Sequence, residues 1–421
     1  MPRILFSTIG SLGDLYPLIA VALALKARGA ECIFAVHRDQ VPVVEAAGFA
    51  TMSNSYDLGQ FAAELGMSET EVIRKTFRDP NFLFREILPY RLADVVRAID
   101  DWAGEIDMVA ATFQAEAARM VAELRGVPIV DLVLQPMMVF DPTQPPLIPG
   151  MPPMVRAPGR VGTVWNRGVL KTGLGAIRRM HGKRLNAARA AVGLPPHTGV
   201  PWFEDAVAPA LRLGLYPGLL HDHPPQVVPP VEPIGFCPYD GPPEPLDAEL
   251  SAFLDDGAAP VVVTLGSNAE FLDTDIYAPT LAAIRALGHR AVLLTGKGWA
   301  GEIGGADAIR RDYVAHQQLF PRAAAIVHHG GIGTLTRAME AGKPQLVLPF
   351  GTDQPDNAAR ITRLGLGQGL AAKRVTHAGV EAALGAVLGD AEIGPRARAV
   401  AAAMRQGDGP GAAADRILAL V

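Results

Sequence analysis

One pattern limits the fold more than any other. Short apolar runs end in a small-residue loop and lead into a helix, first at the N-terminus and again beyond residue 260. Residues 3–8 are apolar without alternation, as suits a strand buried on both faces of a parallel sheet. The loop Gly10-Ser11-Leu12-Gly13-Asp14 follows, then a helix predicted over 18–28, with Pro17 in its first turn and Gly29 as its stop. Residues 31–36 are the next strand and complete a βαβ unit, which implies a parallel sheet with right-handed crossovers. Residues 107–112 and 128–134 extend the series.

The middle of the chain reads differently. Residues 136–160 are proline- and methionine-rich loop, 161–192 form a basic helix with a solvated face, and 217–245 are again rich in proline. The alternation then restarts, with a strand at 260–265 ended by Gly266-Ser267, a helix at 276–287 and a strand at 291–295. A strand at 323–327 runs into His328-His329-Gly330-Gly331, and a helix at 335–341 and a strand at 345–349 follow; 378–421 are Ala-rich and helical. The expected fold class is α/β, with two doubly wound, Rossmann-like domains. Residues 1–216 form the first domain, 217–232 the linker and 233–400 the second domain, and 401–421 form a C-terminal helix returning to the first.

Composition narrows the function. The 421 residues carry a net charge of −5, which argues against a nucleic-acid binder working by phosphate neutralisation. Hydrophobic residues at 49% against 19% charged exclude a disordered chain. Two cysteines exclude a disulfide framework, and Cys32 and Cys237 read as small buried side chains. No stretch is long and apolar enough to span a bilayer, and the N-terminus lacks a signal-peptide pattern, so a cytoplasmic protein is expected. Peripheral membrane contact and oligomeric state stay open.

Open α/β sheets bind ligands beyond the carboxyl ends of their strands, where these loops fall. In His328-His329-Gly330-Gly331-Ile332-Gly333-Thr334 the glycines admit a bulky anion, the helix start offers free N–H groups, and a histidine adds a donor. No lysine follows, so this is not a Walker loop. Asp353-Gln354 closes the next strand and could grip sugar hydroxyls, or Asp353 or Asp356 could cap a helix. Asp14 could serve as a general base or as a helix cap. Asp273-Thr274-Asp275 reads as capping rather than as a metal site. No zinc spacing and no nucleophile elbow is present, and His181, His221 and His223 read as surface residues.

Three segments, in order and spacing, resemble the nucleotide-sugar glycosyltransferases of family 1: Gly10-Ser11-x-Gly13-Asp14-x-x-Pro17, Thr264-Leu265-Gly266-Ser267, and Tyr313-Val314-Ala315-His316 through His329-Gly330-Gly331 to Asp353-Gln354. The resemblance is strongest to bacterial members acting on lipids or natural products, such as the rhamnosyltransferase of rhamnolipid synthesis. It implies a GT-B fold, two domains facing across a cleft, and inverting transfer from a UDP- or dTDP-sugar to a hydroxyl of an apolar acceptor, with no metal or other cofactor.

By the same resemblance His329, Gly330, Gly331, Gly333 and Thr334 cradle the diphosphate, and Ser11, Gly13, Gly266 and Ser267 approach the donor. Tyr313 and Val314 meet the base, with His316 at a usual Gln position. Asp353 and Gln354 hold the sugar, and Asp14 is the base. Arg337 stands where plant members carry a ribose-binding Glu. Phe77, Phe82, Phe84, Met137, Met138, Phe140, Met151 and Trp165 are the candidate acceptor wall. Two other readings stay open. One is an NADP-dependent oxidoreductase, with His37-Arg38 on a 2′-phosphate. The other is a non-catalytic nucleotide-sugar or lipid-binding protein.

Overall fold

A computed structural model describes the chain except for residues 55–57, 205, 242–244 and 267–274, together with the side chains of Phe77, Arg78 and Pro80. Ser267 and Asp273-Thr274 therefore lie outside the described residues. The chain divides into two compact units, Met1–Pro146 with Gly150–Tyr239 and Asp408–Val421, and Leu147–Pro149 with Asp240–Gly407.

The first unit holds seven parallel strands: β1 (Arg3–Ser7), β2 (Glu31–Val36), β3 (Ala50–Ser53), β4 (Met108–Ala111), β5 (Ile129–Val133), β6 (Leu211–Gly214) and β7 (Glu232–Pro233). Their order is β3-β2-β1-β4-β5-β6-β7. The second unit holds six: β8 (Val261–Thr264), β9 (Ala291–Leu294), β10 (Ala308–Arg311), β11 (Ala325–His328), β12 (Gln345–Val347) and β13 (Gly367–Gly369). Their order is β10-β9-β8-β11-β12-β13. Both sheets reverse their winding beside the first strand, at β1/β4 and at β8/β11. A crevice forms at such a switch point, because the loops leave in opposite directions.

The uninterrupted apolar runs have a direct cause. Side chains alternate across a strand. Ile4 and Phe6 enter one core with Leu18 and Ile19 of the helix Leu12–Lys26, while Leu5 enters the opposite core with Met120 and Val121. Val261 and Val263 likewise separate from Val262. Each sheet is covered on both faces, so no polar alternation survives. The helix Gly409–Leu418 packs in the first unit, placing Ala413, Ala414 and Ile417 in the core beside Leu18 and pairing Asp415 with Arg28 at 2.9 Å. Cys32 and Cys237 are free and buried, and burial pushes the Cys32 thiol up to about 12.

Several expectations need correction. The first helix starts at Leu12, not near Pro17, because Ser11 and Asp14 form a capping box that begins the turn early. Pro17 sits inside it and forfeits the bond to the Gly13 carbonyl. His181 and His221 are buried rather than on the surface, and the His221 ring lies 3.0 Å from the Tyr216 hydroxyl. The strands β3, β6, β7, β10 and β13 were not legible in the sequence. Four of them are sheet edges, where apolar content falls and polar side chains are tolerated, and the inner strand β6 carries Arg212, which pairs with Asp131 of β5.

Candidate functional site

In the second unit β8 and β11 run side by side, with His328 opposite Thr264, so their following loops emerge together at the switch point. The two adjacent histidines divide their labour. His328 is fully buried; its Nε2 lies 2.9 Å from Gln345 Oε1 and its Nδ1 accepts from Gly330 N at 3.1 Å, so it fixes the turn. His329 points the other way along the strand and lies between two glycines. A Cβ on Gly266 would come within 2.6 Å of its Cε1, and one on Gly331 within 2.4 Å of its Nε2. The ring occupies the space that side chains at either position would need.

His329 is held neutral. Burial pulls its pKa down to about 4, against an opposing pull from the Thr264 backbone. Its Nδ1 is buried and has no hydrogen-bond partner among the described residues. Gly331 then caps the helix Ile332–Glu340 with no side-chain bond, which leaves its first N–H groups unsatisfied within the helix. Gly333 lies in that first turn, and a Cβ there would meet nothing within 4 Å. A neutral imidazole and a positive helix end make a cradle for an anion with two or more oxygens.

One strand further on, Asn357 ties the cradle to the next loop. Its Nδ2 donates to Gly330 O at 2.9 Å and to Asp353 Oδ2 at 2.7 Å. Asp353 occupies the cap position of the helix Gln354–Leu364 without making a side-chain cap bond, and Thr352 Oγ1 donates to its Oδ1 at 2.9 Å. Gln354 Oε1 accepts from Phe350 N at 2.7 Å, which orients the amide. The capping alternative for Asp356 fails as well: it is buried, pairs with Arg360 at 2.6 Å and accepts from Leu147 N at 2.8 Å.

On the other side of the cradle Tyr313 is 66% exposed, Val314 is buried, and the His316 ring stacks on Phe320 at 4.3 Å. Burial first, then Arg337 and His329, pulls His316 down to about 3. Arg337 pairs with Asp240, and with Glu340 at 2.6 Å, so its charge is matched within the unit. Asp275 caps the helix Tyr277–Ala286 through Tyr277 N at 3.0 Å and also accepts from Trp299 Nε1, as the capping reading expected.

In the first unit, Asp14 follows the carboxyl end of β1. Ser11 N and Ser11 Oγ both donate to its Oδ2, at 2.7 and 3.0 Å. Its Oδ1 accepts no hydrogen bond among the described residues. The capping role therefore engages one oxygen and does not rule out the reading of Asp14 as a base. Burial raises the Asp14 pKa, and the two bonds from Ser11 oppose it. Gln40 pins the loop by donating to Gly10 O and Ser11 O at 3.0 and 3.1 Å.

The acceptor candidates do not form one group. Phe82 is core, packed with Phe61 and Val72. Met151 packs over Gly173, Met137 is half-buried, and Trp165 is half-exposed with its Nε1 on Pro153 O. The side chain of Phe77 lies outside the described residues. Phe84, Met138 and Phe140 do converge, on residues the sequence did not single out. Phe84 and Phe140 stand 5.3 and 5.7 Å from Phe203. Met138 lines a small cavity with Phe113, Trp202, Phe203, Arg119, Asp131 and Arg212. Burial works to raise Asp131, but Arg119 and Arg212 outweigh it and hold the carboxyl below its usual range. The available signal was an acid inside the apolar run of β5 and an arginine in β6, a pair that buried strands carry only when matched.

Comparison with known proteins bears on this geometry. Residues 281–420 match the family described as erythromycin biosynthesis protein CIII-like, C-terminal domain. Glycosyltransferase GtfE of Amycolatopsis orientalis is 32% identical, over 100% of this chain and 98% of that one. The vancomycin aglycone glucosyltransferase of the same organism is 31% identical, over 99% and 97%. The spinosyn rhamnosyltransferase SpnG, solved with thymidine diphosphate, superposes with a TM-score of 0.64 at 19% identity, covering 99% of this chain and 100% of that one. The oxidoreductase reading has no support in these similarities. Two parallel sheets wound in this order, matched end to end by such relatives, place the chain in one family: it belongs to the family 1 nucleotide-sugar glycosyltransferases of GT-B fold, in their natural-product branch.

Proposed function

We propose that the enzyme moves a deoxysugar or hexose from a dTDP-sugar to a hydroxyl of an apolar natural product, with inversion and without a metal. The observation that carries this is the cradle around His329, where a neutral imidazole, its Nδ1 without a hydrogen-bond partner among the described residues, sits beside the start of the helix behind Gly331, which makes no side-chain cap bond. The diphosphate rests there, and the charge that develops as it leaves is met by donors already in place. His329 enters neutral, because burial keeps its pKa near 4, so it acts as a hydrogen-bond donor rather than as a fixed cation.

Asp353 and Gln354 hold the sugar hydroxyls, their own orientations set by Thr352, Asn357 and Phe350 N. Tyr313 offers its exposed face to the base. Asp14 takes the acceptor proton on Oδ1, and its raised pKa makes it a stronger base than a solvated aspartate. Thymidine is preferred over uridine here because a relative of the same fold is solved with thymidine diphosphate. The acceptor is placed among natural products because the vancomycin aglycone glucosyltransferase is a relative.

A thermal-shift panel of dTDP-sugars, UDP-sugars and NADPH tests the reading. Stabilisation by dTDP-sugars above UDP-sugars, with none from NADPH, is the expected outcome. Equal or greater stabilisation by UDP-sugars would overturn the choice of thymidine, and stabilisation by NADPH alone would overturn the donor site itself.

A further inference from the structure

The helix Arg160–Ala191 and the loop before it carry a charge unlike the rest of the molecule. Between Asp141 and Glu204 the sequence has no acidic residue and nine lysines and arginines, in a chain whose net charge is −5. At the whole-chain density of 43 acidic residues in 421, a stretch of that length would hold about six. Glu86 matches Arg184 and Glu123 matches Arg189, both from other elements. Arg156, Arg160, Arg167, Lys171, Arg179 and Lys183 are exposed and make no ion pair among the described residues.

The same face is apolar where a solvated helix would be polar. Val161 is 85% exposed, Val164 66% and Trp165 53%. Positions 160, 164, 167 and 171 follow one another at helical spacing, as do 161 and 165, so the cations and the apolar side chains share a stripe. Trp165 Nε1 is anchored on Pro153 O at 3.0 Å, which satisfies the indole N–H and leaves the ring outward. A row of Val and Trp flanked by Arg and Lys suits a headgroup boundary, where the apolar side chains enter and the long cations reach anionic groups. No helix among the described residues is long and apolar enough to cross a membrane, so the helix would lie in the interface plane.

We propose that this face docks the enzyme on an anionic lipid surface. The inference depends on neither the donor nor the base assigned above. The competing occupants are soluble polyanions, such as a nucleic acid or an acidic protein. They would use the cations but gain nothing from Val161 and Val164.

The test is co-sedimentation of the full chain with vesicles of phosphatidylcholine alone and of phosphatidylcholine with phosphatidylglycerol at about 2:1. Binding should require phosphatidylglycerol and weaken with added salt. The triple variant Arg160→Glu, Arg167→Glu, Lys171→Glu should lower partitioning by about tenfold or more. The double variant Val161→Ser, Val164→Ser keeps every charge and should also lose most of the binding, while its affinity for heparin stays as in the parent. Melting temperatures and dTDP-induced stabilisation of both variants show whether the fold is intact; a variant that fails there is replaced by the single change Val161→Ser. Three results would overturn the proposal: equal binding to both vesicle types, no binding at low salt, or full vesicle binding by the double Val variant.

Discussion

Asp14 has a structural role that leaves room for the proposed chemical one. Its Oδ2 closes the capping box and its Oδ1 is left over, so the two roles separate by atom. Asp14→Asn keeps the size and one acceptor, and dTDP affinity should stay within about twofold while kcat falls by about 10²–10⁴. Steady-state transfer together with calorimetric dTDP binding checks both parts, and near-normal turnover would remove Asp14 from the mechanism. Ser11 gives a finer probe. Both of its bonds favour the ionised carboxylate, against burial, so Ser11→Ala should raise the Asp14 pKa further. A base must be ionised to act, so the acid limb of the kcat/KM profile should move to higher pH. The lost cap should also cost about 1 kcal/mol of stability. An unmoved limb alongside the stability loss would leave Ser11 with the cap alone.

At the level of elements, the proposed donor site rests on the helix Ile332–Glu340, and Gly333 is its most telling position. Nothing in the protein needs a glycine there, since its φ is ordinary and a Cβ would meet open space. Glycine in a helix costs stability relative to alanine. If the space is kept for a diphosphate, Gly333→Ala should raise stability by about 0.5 kcal/mol yet weaken dTDP binding several-fold. Denaturant melts and calorimetry on one preparation separate the two effects, and unchanged affinity would mean that the open space is incidental. This helix was legible in the sequence because glycines, histidines and a strand end coincide within a few residues. The helix Leu12–Lys26 was legible but misplaced, because its start is set by the Ser11–Asp14 exchange and not by Pro17. The candidate acceptor residues were the least legible. Phe82 and Phe203 look alike in sequence, and only packing assigns one to a core and the other to a cluster around Arg119, Asp131 and Arg212.

For the molecule as a whole, three histidines of the second unit set a pH limit on stability. Burial lowers His316 and His328 to about 3 and His329 to about 4, from an ordinary value of 6.5. The unfolded chain takes up these protons first, so folding must expel them. Stability is undiminished by these groups above pH 6.5 and is lost progressively as the pH falls toward about 3. Stability followed by denaturant melts should therefore fall steeply across that window, and His316→Gln should flatten the slope by up to one proton. A slope unaffected by His316→Gln would mean that this ring is protonated in the folded state. The doubly wound class was open to sequence reading because the inner strands β1, β2, β4 and β9 send apolar side chains into the cores on both faces. The edges, the buried ion cluster and the neutral histidines depend on neighbours far along the chain, and no local pattern announces them.

The proposed mechanism requires a nucleoside diphosphate against the start of the helix behind Gly331. A crystal structure of the enzyme with dTDP decides whether it binds there. Phosphate oxygens should lie within hydrogen-bonding distance of His329 and of the N–H groups of Ile332 to Thr334. Phosphates bound elsewhere, with His329 and those N–H groups facing only solvent, would contradict it.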